Sequence, residues 1–147
     1  MSGTRYSYYA SQVISGAFIL LWTYTAGSKL ANFGAYTMEM HRQVFSAEIS
    51  VVLMYILPIV ELLAVILLLF PKTNKIGLIL SLLLISTFTG YVLLIIIGYF
   101  PNVPCSCGGV IRALGWKGHL LFNLVFLMLA ISSLFIKPKR EASDKEV

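Results

Sequence analysis

The sequence predicts an all-α fold: a polytopic membrane bundle of four helices, with the N and C termini in the cytoplasm. Three observations predict it. The 147-residue chain is 59% hydrophobic and 12% charged, with a mean hydropathy of +0.88, which leaves too little polar surface to coat a soluble domain. Four apolar runs, at about 8–30, 49–70, 76–100 and 118–136, each reach the roughly 20 residues that cross a hydrocarbon core at about 1.5 Å per residue. They lack the alternation of barrel strands, and lipid admits only helices or closed barrels because every backbone polar group must be satisfied internally. The charges supply the orientation. Arg5, Lys72, Lys75, Lys137, Lys139, Arg140 and Lys145 fall on one side, and Lys29, Arg42, Arg112 and Lys117 on the other. Seven against four places the termini inside and the loop before the last helix outside. The 11 Lys and Arg against 6 Asp and Glu are therefore a topology signal, and no basic surface for nucleic acid is present.

The chain reads as a single four-helix transmembrane domain, residues 1–147. Its first helix opens with Tyr6, Tyr8 and Tyr9, an aromatic belt for the inner interface. Ser11, Ser15, Gly16 and Ala17 then form a small-residue patch suited to close helix approach. The N-terminus has one Arg and no strong signal-peptide character, so the first helix is expected to be retained. Between the first two spans, ANFGAYTMEMHRQVFSAE predicts a short amphipathic helix lying on the outer surface, with Phe33, Tyr36 and Phe45 toward lipid. The second span holds Glu61, whose carboxylate must face the bundle interior, and Pro58, which removes a helix hydrogen bond. By depth, Glu61 is expected level with Ser86 or Thr87 of the third span. Lys29, near the outer end of the first span, is expected to snorkel or to pair with Glu39 or Glu48, not with the deeper Glu61.

The candidate chemistry lies in PNVPCSCGG, which holds the only two cysteines, Cys105 and Cys107. A C-x-C closure is small and strained, which favours a disulfide that is passed on over one that is kept, and it constrains the unfolded chain little. Gly108 and Gly109 permit the turn, and Arg112 favours a thiolate if the chain folds back. Metal ligation and an inert loop remain open alternatives. Next in the chain, Trp116, His119 and Asn123 recur at i, i+3 and i+7, one helical face that aims an imidazole and an amide at the cysteine loop. His119 suits proton transfer during exchange, or a hydrogen bond to a quinone carbonyl. A rival reading is copper handling by Met38, Met40 and His41 together with Cys105 and Cys107, a soft donor set suited to Cu(I).

With Ala26-Gly27-Ser28-Lys29-Leu30, Leu57-Pro58 with Glu61-Leu62, and Cys105-Ser106-Cys107-Gly108-Gly109, the chain resembles DoxX-like proteins of the MauE type from about Val13 to about Ile136. The resemblance implies a four-helix membrane protein with a redox task. Its methylamine-utilisation members are associated with disulfide formation in a periplasmic dehydrogenase, and its DoxX relatives with thiosulfate:quinone oxidoreduction. It matches Cys105 and Cys107 to the family's cysteine pair, and Lys29 and Glu61 to its polar positions in the first two helices. The Trp116–His119–Asn123 stripe has no counterpart in that match. The expected function is thiol/disulfide exchange at the outer face of a bacterial inner membrane, with Cys105, Cys107 and His119 catalytic and Arg112, Trp116, Asn123, Glu61 and Lys29 accessory. The expected partner is a thioredoxin-like or secreted thiol protein, with a membrane quinone as electron sink. A non-catalytic role as an assembly subunit of a larger membrane complex is the third reading.

Overall fold

The computed structural model describes residues 2–100 and 113–136. These form five helices: α1 (Ser2–Ala31), α2 (Phe33–His41), α3 (Ala47–Leu69), α4 (Asn74–Ile96) and α5 (Gly115–Phe135). Among the described residues there is no strand. α3, α4 and α5 are each long and apolar enough to cross a membrane. α1 is longer but less apolar, because it turns Ser11, Ser15, Thr25 and Lys29 into the protein. The long helices pack in a ring, α1 on α3, α3 on α4, α4 on α5 and α5 back on α1. This is a multi-pass membrane bundle whose outward side chains are mostly Leu, Ile, Val and Phe.

Local chemistry explains the element ends. Ser46 caps α3, its hydroxyl accepting from the Ile49 amide at 3.4 Å. The α3–α4 turn is tied by Thr73, which donates to the Leu67 carbonyl at 2.8 Å, and by Asn74, which donates to the Leu68 carbonyl at 3.0 Å. α4 stops at Ile96 although apolar residues continue to Phe100. Gly98 takes φ 79°, its amide bonds to the Ile95 carbonyl and that of Tyr99 to the Leu94 carbonyl, both at 3.0 Å. That pairing is a Schellman cap, and glycine adopts its left-handed residue at no steric cost.

Lipid offers helices no hydrophobic drive to associate, so polar contacts and close packing set their register. Near the start of α4, Asn74 donates to the Ser15 hydroxyl at 3.0 Å, so the part of α1 before Ser15 extends past the α3–α4 turn. Tyr8 and Tyr9 of that extension are exposed. Deeper, Trp22 donates to Ser81 at 2.9 Å beneath a core of Phe18, Ile85 and their neighbours. At the other end, Tyr91 of α4 donates to Gln43, just past α2.

Three sequence expectations need correction here. Tyr36 does not turn to lipid: it and Met40 are buried against Met54, with Leu53 and Leu57 packed around them. Phe33 is half-buried between Tyr36 and Tyr55, while Phe45 is exposed and stacks on Tyr91. The close helix approach is not at Gly16, which has open space around its Cβ position, but at Gly77, where a Cβ would sit 2.9 Å from Leu68 Cγ and 2.9 Å from the Leu68 amide nitrogen. Ser86 and Thr87 are exposed, so α4 presents Ile85 and Phe88 to the interior at the depth expected of them.

Gly77→Ala should destabilise the bundle by about 1–3 kcal/mol through overpacking against α3. Gly90→Ala, with open space at its Cβ, should be neutral or gain up to about 1 kcal/mol of helix propensity. Unfolding midpoints of the two variants in mixed micelles check this, and equal midpoints would refute it.

Candidate functional site

Four residues of α1, Phe18, Trp22, Thr25 and Lys29, recur at i, i+4, i+7 and i+11 and share one inward face. That face meets Glu61 of α3. Lys29 Nζ donates to Glu61 Oε1 at 2.5 Å, with the lysine side chain 6% and the glutamate 0% exposed. Sequence reasoning on depth argued against this pair. It assumed that α1 ends at the outer membrane surface, and the structure shows otherwise. α1 stops at Ala31, the chain turns at Asn32, and α2 continues beside the first half of α3. The end of α1 is thereby level with Glu61, which lies 14 residues beyond Ala47, roughly 21 Å along α3. Lys29 thus takes neither of the expected partners, Glu39 or Glu48.

The pair forms one wall of a cavity of about 50 Å³ to which all four long helices contribute. α1 supplies Leu21, Trp22, Thr25 and Lys29, α3 Leu57 and Glu61, α4 Ile85 and Phe88, and α5 His119, Phe122 and Asn123. Thr25 stands beside the carboxylate, its hydroxyl turned to the Trp22 carbonyl at 3.3 Å. His119 and Asn123 are buried, 3% and 2% exposed, and the half-buried Trp116 stacks on His119 with ring centroids 6.5 Å apart. The expected stripe on α5 is therefore one face, and that face looks into the same cavity as Lys29 and Glu61. Two polar atoms on its walls, Glu61 Oε2 and Asn123 Nδ2, make no hydrogen bond.

Size limits what the cavity holds. A cavity of about 150 Å³ is what accommodates one benzene ring, whereas a water needs only about 10–15 Å³. At about 50 Å³ this one takes water-sized molecules.

The other named residues fall elsewhere. Cys105, Cys107 and Arg112 lie outside the described residues. Met38 is 60% exposed while Met40 is buried against Met54, so α2 turns the two thioethers of the copper reading in different directions; His41 is exposed. Among the described residues no three His, Cys, Asp or Glu side chains gather as metal ligands. Sequence reasoning missed Trp22, Thr25, Phe88 and Phe122. The heptad-like spacing from Phe18 to Lys29 was the available signal for the first two, and nothing local distinguished the aromatic pair.

A family model, methylamine utilisation protein MauE, matches residues 7–136. The chain belongs to the MauE family. No curated protein and no solved structure matches it. The matched span takes in α2 to α5, all but the first residues of α1, and both cysteines, so Lys29, Glu61 and His119 lie within the family match.

Truncating one member of the ion pair strands the other unpaired inside the bundle, which costs about 3–5 kcal/mol, while replacing both with apolar residues of similar volume is close to neutral. Lys29→Met and Glu61→Leu should each lower the thermal midpoint in detergent, and the double variant should recover most of the loss. A double variant as unstable as the worse single would show that the pair is not coupled.

Proposed function

We propose that this MauE-family protein is a bacterial inner-membrane redox protein, a single four-helix domain with both termini cytoplasmic. It exchanges thiol and disulfide equivalents through Cys105 and Cys107 at the outer face. The observation that carries the reading is the position of α5. This helix is the next described element after Cys105 and Cys107 in the chain, and within its first turns it buries His119 and Asn123 at a cavity shared with Lys29 and Glu61. His119 is only 12 residues after Cys107 in the chain. A proton-handling group in the membrane, tethered this closely to a strained thiol pair, suits a reaction that releases and takes up protons.

The exchange runs through a mixed disulfide. A thiolate of a periplasmic partner, thioredoxin-like or a secreted thiol protein, attacks the Cys105–Cys107 bond. One S–S bond forms between the proteins as the internal one breaks, and one cysteine leaves as thiolate. The partner's second thiolate then displaces the other cysteine, which leaves the partner oxidised and the pair reduced by two electrons. Reoxidation needs a two-electron acceptor. A membrane quinone is the expected class.

In the reverse direction a thiolate of the pair attacks a partner disulfide and its neighbour resolves the adduct, so Cys105→Ser and Cys107→Ser should each insert normally, abolish turnover and accumulate that mixed disulfide, since the neighbouring cysteine that resolves it is gone. Acid quench and alkylation in whole cells, followed by non-reducing electrophoresis, reads this. A pair locked in one redox state with no trapped adduct sinks the proposal, and copper bound to the same anaerobically purified protein would favour the metal reading. The topology has its own check: a reporter fused after Val147 should be active only as a cytoplasmic one.

A further inference from the structure

The Lys29–Glu61 pair uses one carboxylate oxygen and leaves the other facing the cavity. Glu61 is 0% exposed, yet Oε2 accepts no hydrogen bond, and Asn123, 2% exposed, has a side-chain amide that donates none. A buried, unsatisfied charged oxygen costs more than a neutral one, so a protein normally supplies a partner. Here an acceptor on α3 and a donor on α5 line a single, otherwise mostly apolar cavity large enough for more than one water. Water is the one small molecule that donates to Oε2 and accepts from Nδ2 with the same oxygen. Leu, Ile and Phe side chains close the rest of the wall.

We propose that Glu61 and Asn123 hold a small internal water cluster, and that Glu61 is a proton-exchange site within the membrane. The step is a proton transfer alone. An O–H bond of a hydrated proton breaks, and an O–H bond forms at Oε2, leaving water. Lys29 keeps its charge, and no electron moves. The groups facing Glu61 suit this. Lys29 comes from α1 and His119 from α5, α4 contributes only Ile85 and Phe88, and on α2 the titratable Tyr36 sits in the neighbouring cluster with Met54. Glu61 thereby has one fixed cation beside it and an imidazole on the same cavity wall. The site requires nothing of the cysteine pair.

Infrared difference spectroscopy on the full chain in lipid nanodiscs tests it, between neutral and acidic buffer, in H₂O and in D₂O. Subtracting the Glu61→Gln spectrum isolates the Glu61 carboxyl from the other acids. Glu61→Asp, which keeps a charge for Lys29, shifts the band instead of removing it and serves if the glutamine variant does not insert. The expected result is a Glu61 carbonyl band that appears on acidification and takes its deuterium shift within the mixing time. Asn123→Leu keeps the carboxyl but removes the water-binding amide, and should slow that shift roughly tenfold, the effect of one lost hydrogen bond to a charged network. A wild-type band that exchanges only over hours, no Glu61-dependent band at all, or unchanged exchange in Asn123→Leu would each overturn the proposal. The readout needs neither partner nor turnover, so it stands or falls separately from thiol exchange.

Discussion

A lysine and a glutamate that meet in the interior of a membrane bundle constrain everything around them. Taking two charges out of water costs several kcal/mol per ion, repaid only by tight geometry and further hydrogen bonds. Lys29 and Glu61 achieve this because α1 ends where it does. Had α1 continued straight through Asn32, Lys29 would still sit on the face toward α3, but α2 would have no reason to fold beside Met54 and Leu57. The break at Asn32 lets α2 bury Tyr36 and Met40 against the first half of α3. Past that break α2 takes the place of α1 beside α3, and the ion pair marks the level at which one hands over to the other.

Below that level the same logic repeats with neutral groups. Ser15 with Asn74 and Trp22 with Ser81 are cross-helix hydrogen bonds between α1 and α4, each joining residues 59 apart in sequence. In a membrane such contacts are individually small, about 0.6 kcal/mol on average, but they fix register because apolar surface alone does not discriminate one register from another. Polar residues on α1 lower its hydropathy below that of its neighbours for this reason. The helix that reads as the weakest span is the one that supplies the internal bonding.

The sequence made the four long helices legible, since 20-residue apolar runs have few alternatives in lipid. It also made legible the inward turn of Glu61 and the shared face of Trp116, His119 and Asn123, because burying a charge and helical periodicity are both local arguments. The Lys29–Glu61 contact was not legible. Depth counted from helix ends fails when one helix ends inside the bundle, and no residue between Ala31 and Phe33 announces where α2 will go. Ser86 and Thr87 failed for a related reason. Their depth followed from counting, but which face of α4 turns inward depends on packing against α3 and α5. A hydroxyl in lipid can satisfy itself on its own helix, as Thr87 does by donating to the Leu83 carbonyl at 2.8 Å.

The same contrast bears on what the interior is for. If the ion pair served only to hold α1 against α3, an apolar pair would do as well or better, and nothing would favour leaving Oε2 and Asn123 Nδ2 open on a common cavity. A purely structural pair is also best placed where its remaining lone pairs are satisfied by neighbouring backbone or hydroxyls. Among the described residues, two atoms on the cavity wall, Glu61 Oε2 and Asn123 Nδ2, have no hydrogen-bond partner, one an acceptor and one a donor, on helices brought to one cavity only in the assembled bundle. An arrangement that lowers stability and gathers a carboxylate, an imidazole and an amide around water-sized space is what proton handling requires, and packing alone does not call for it.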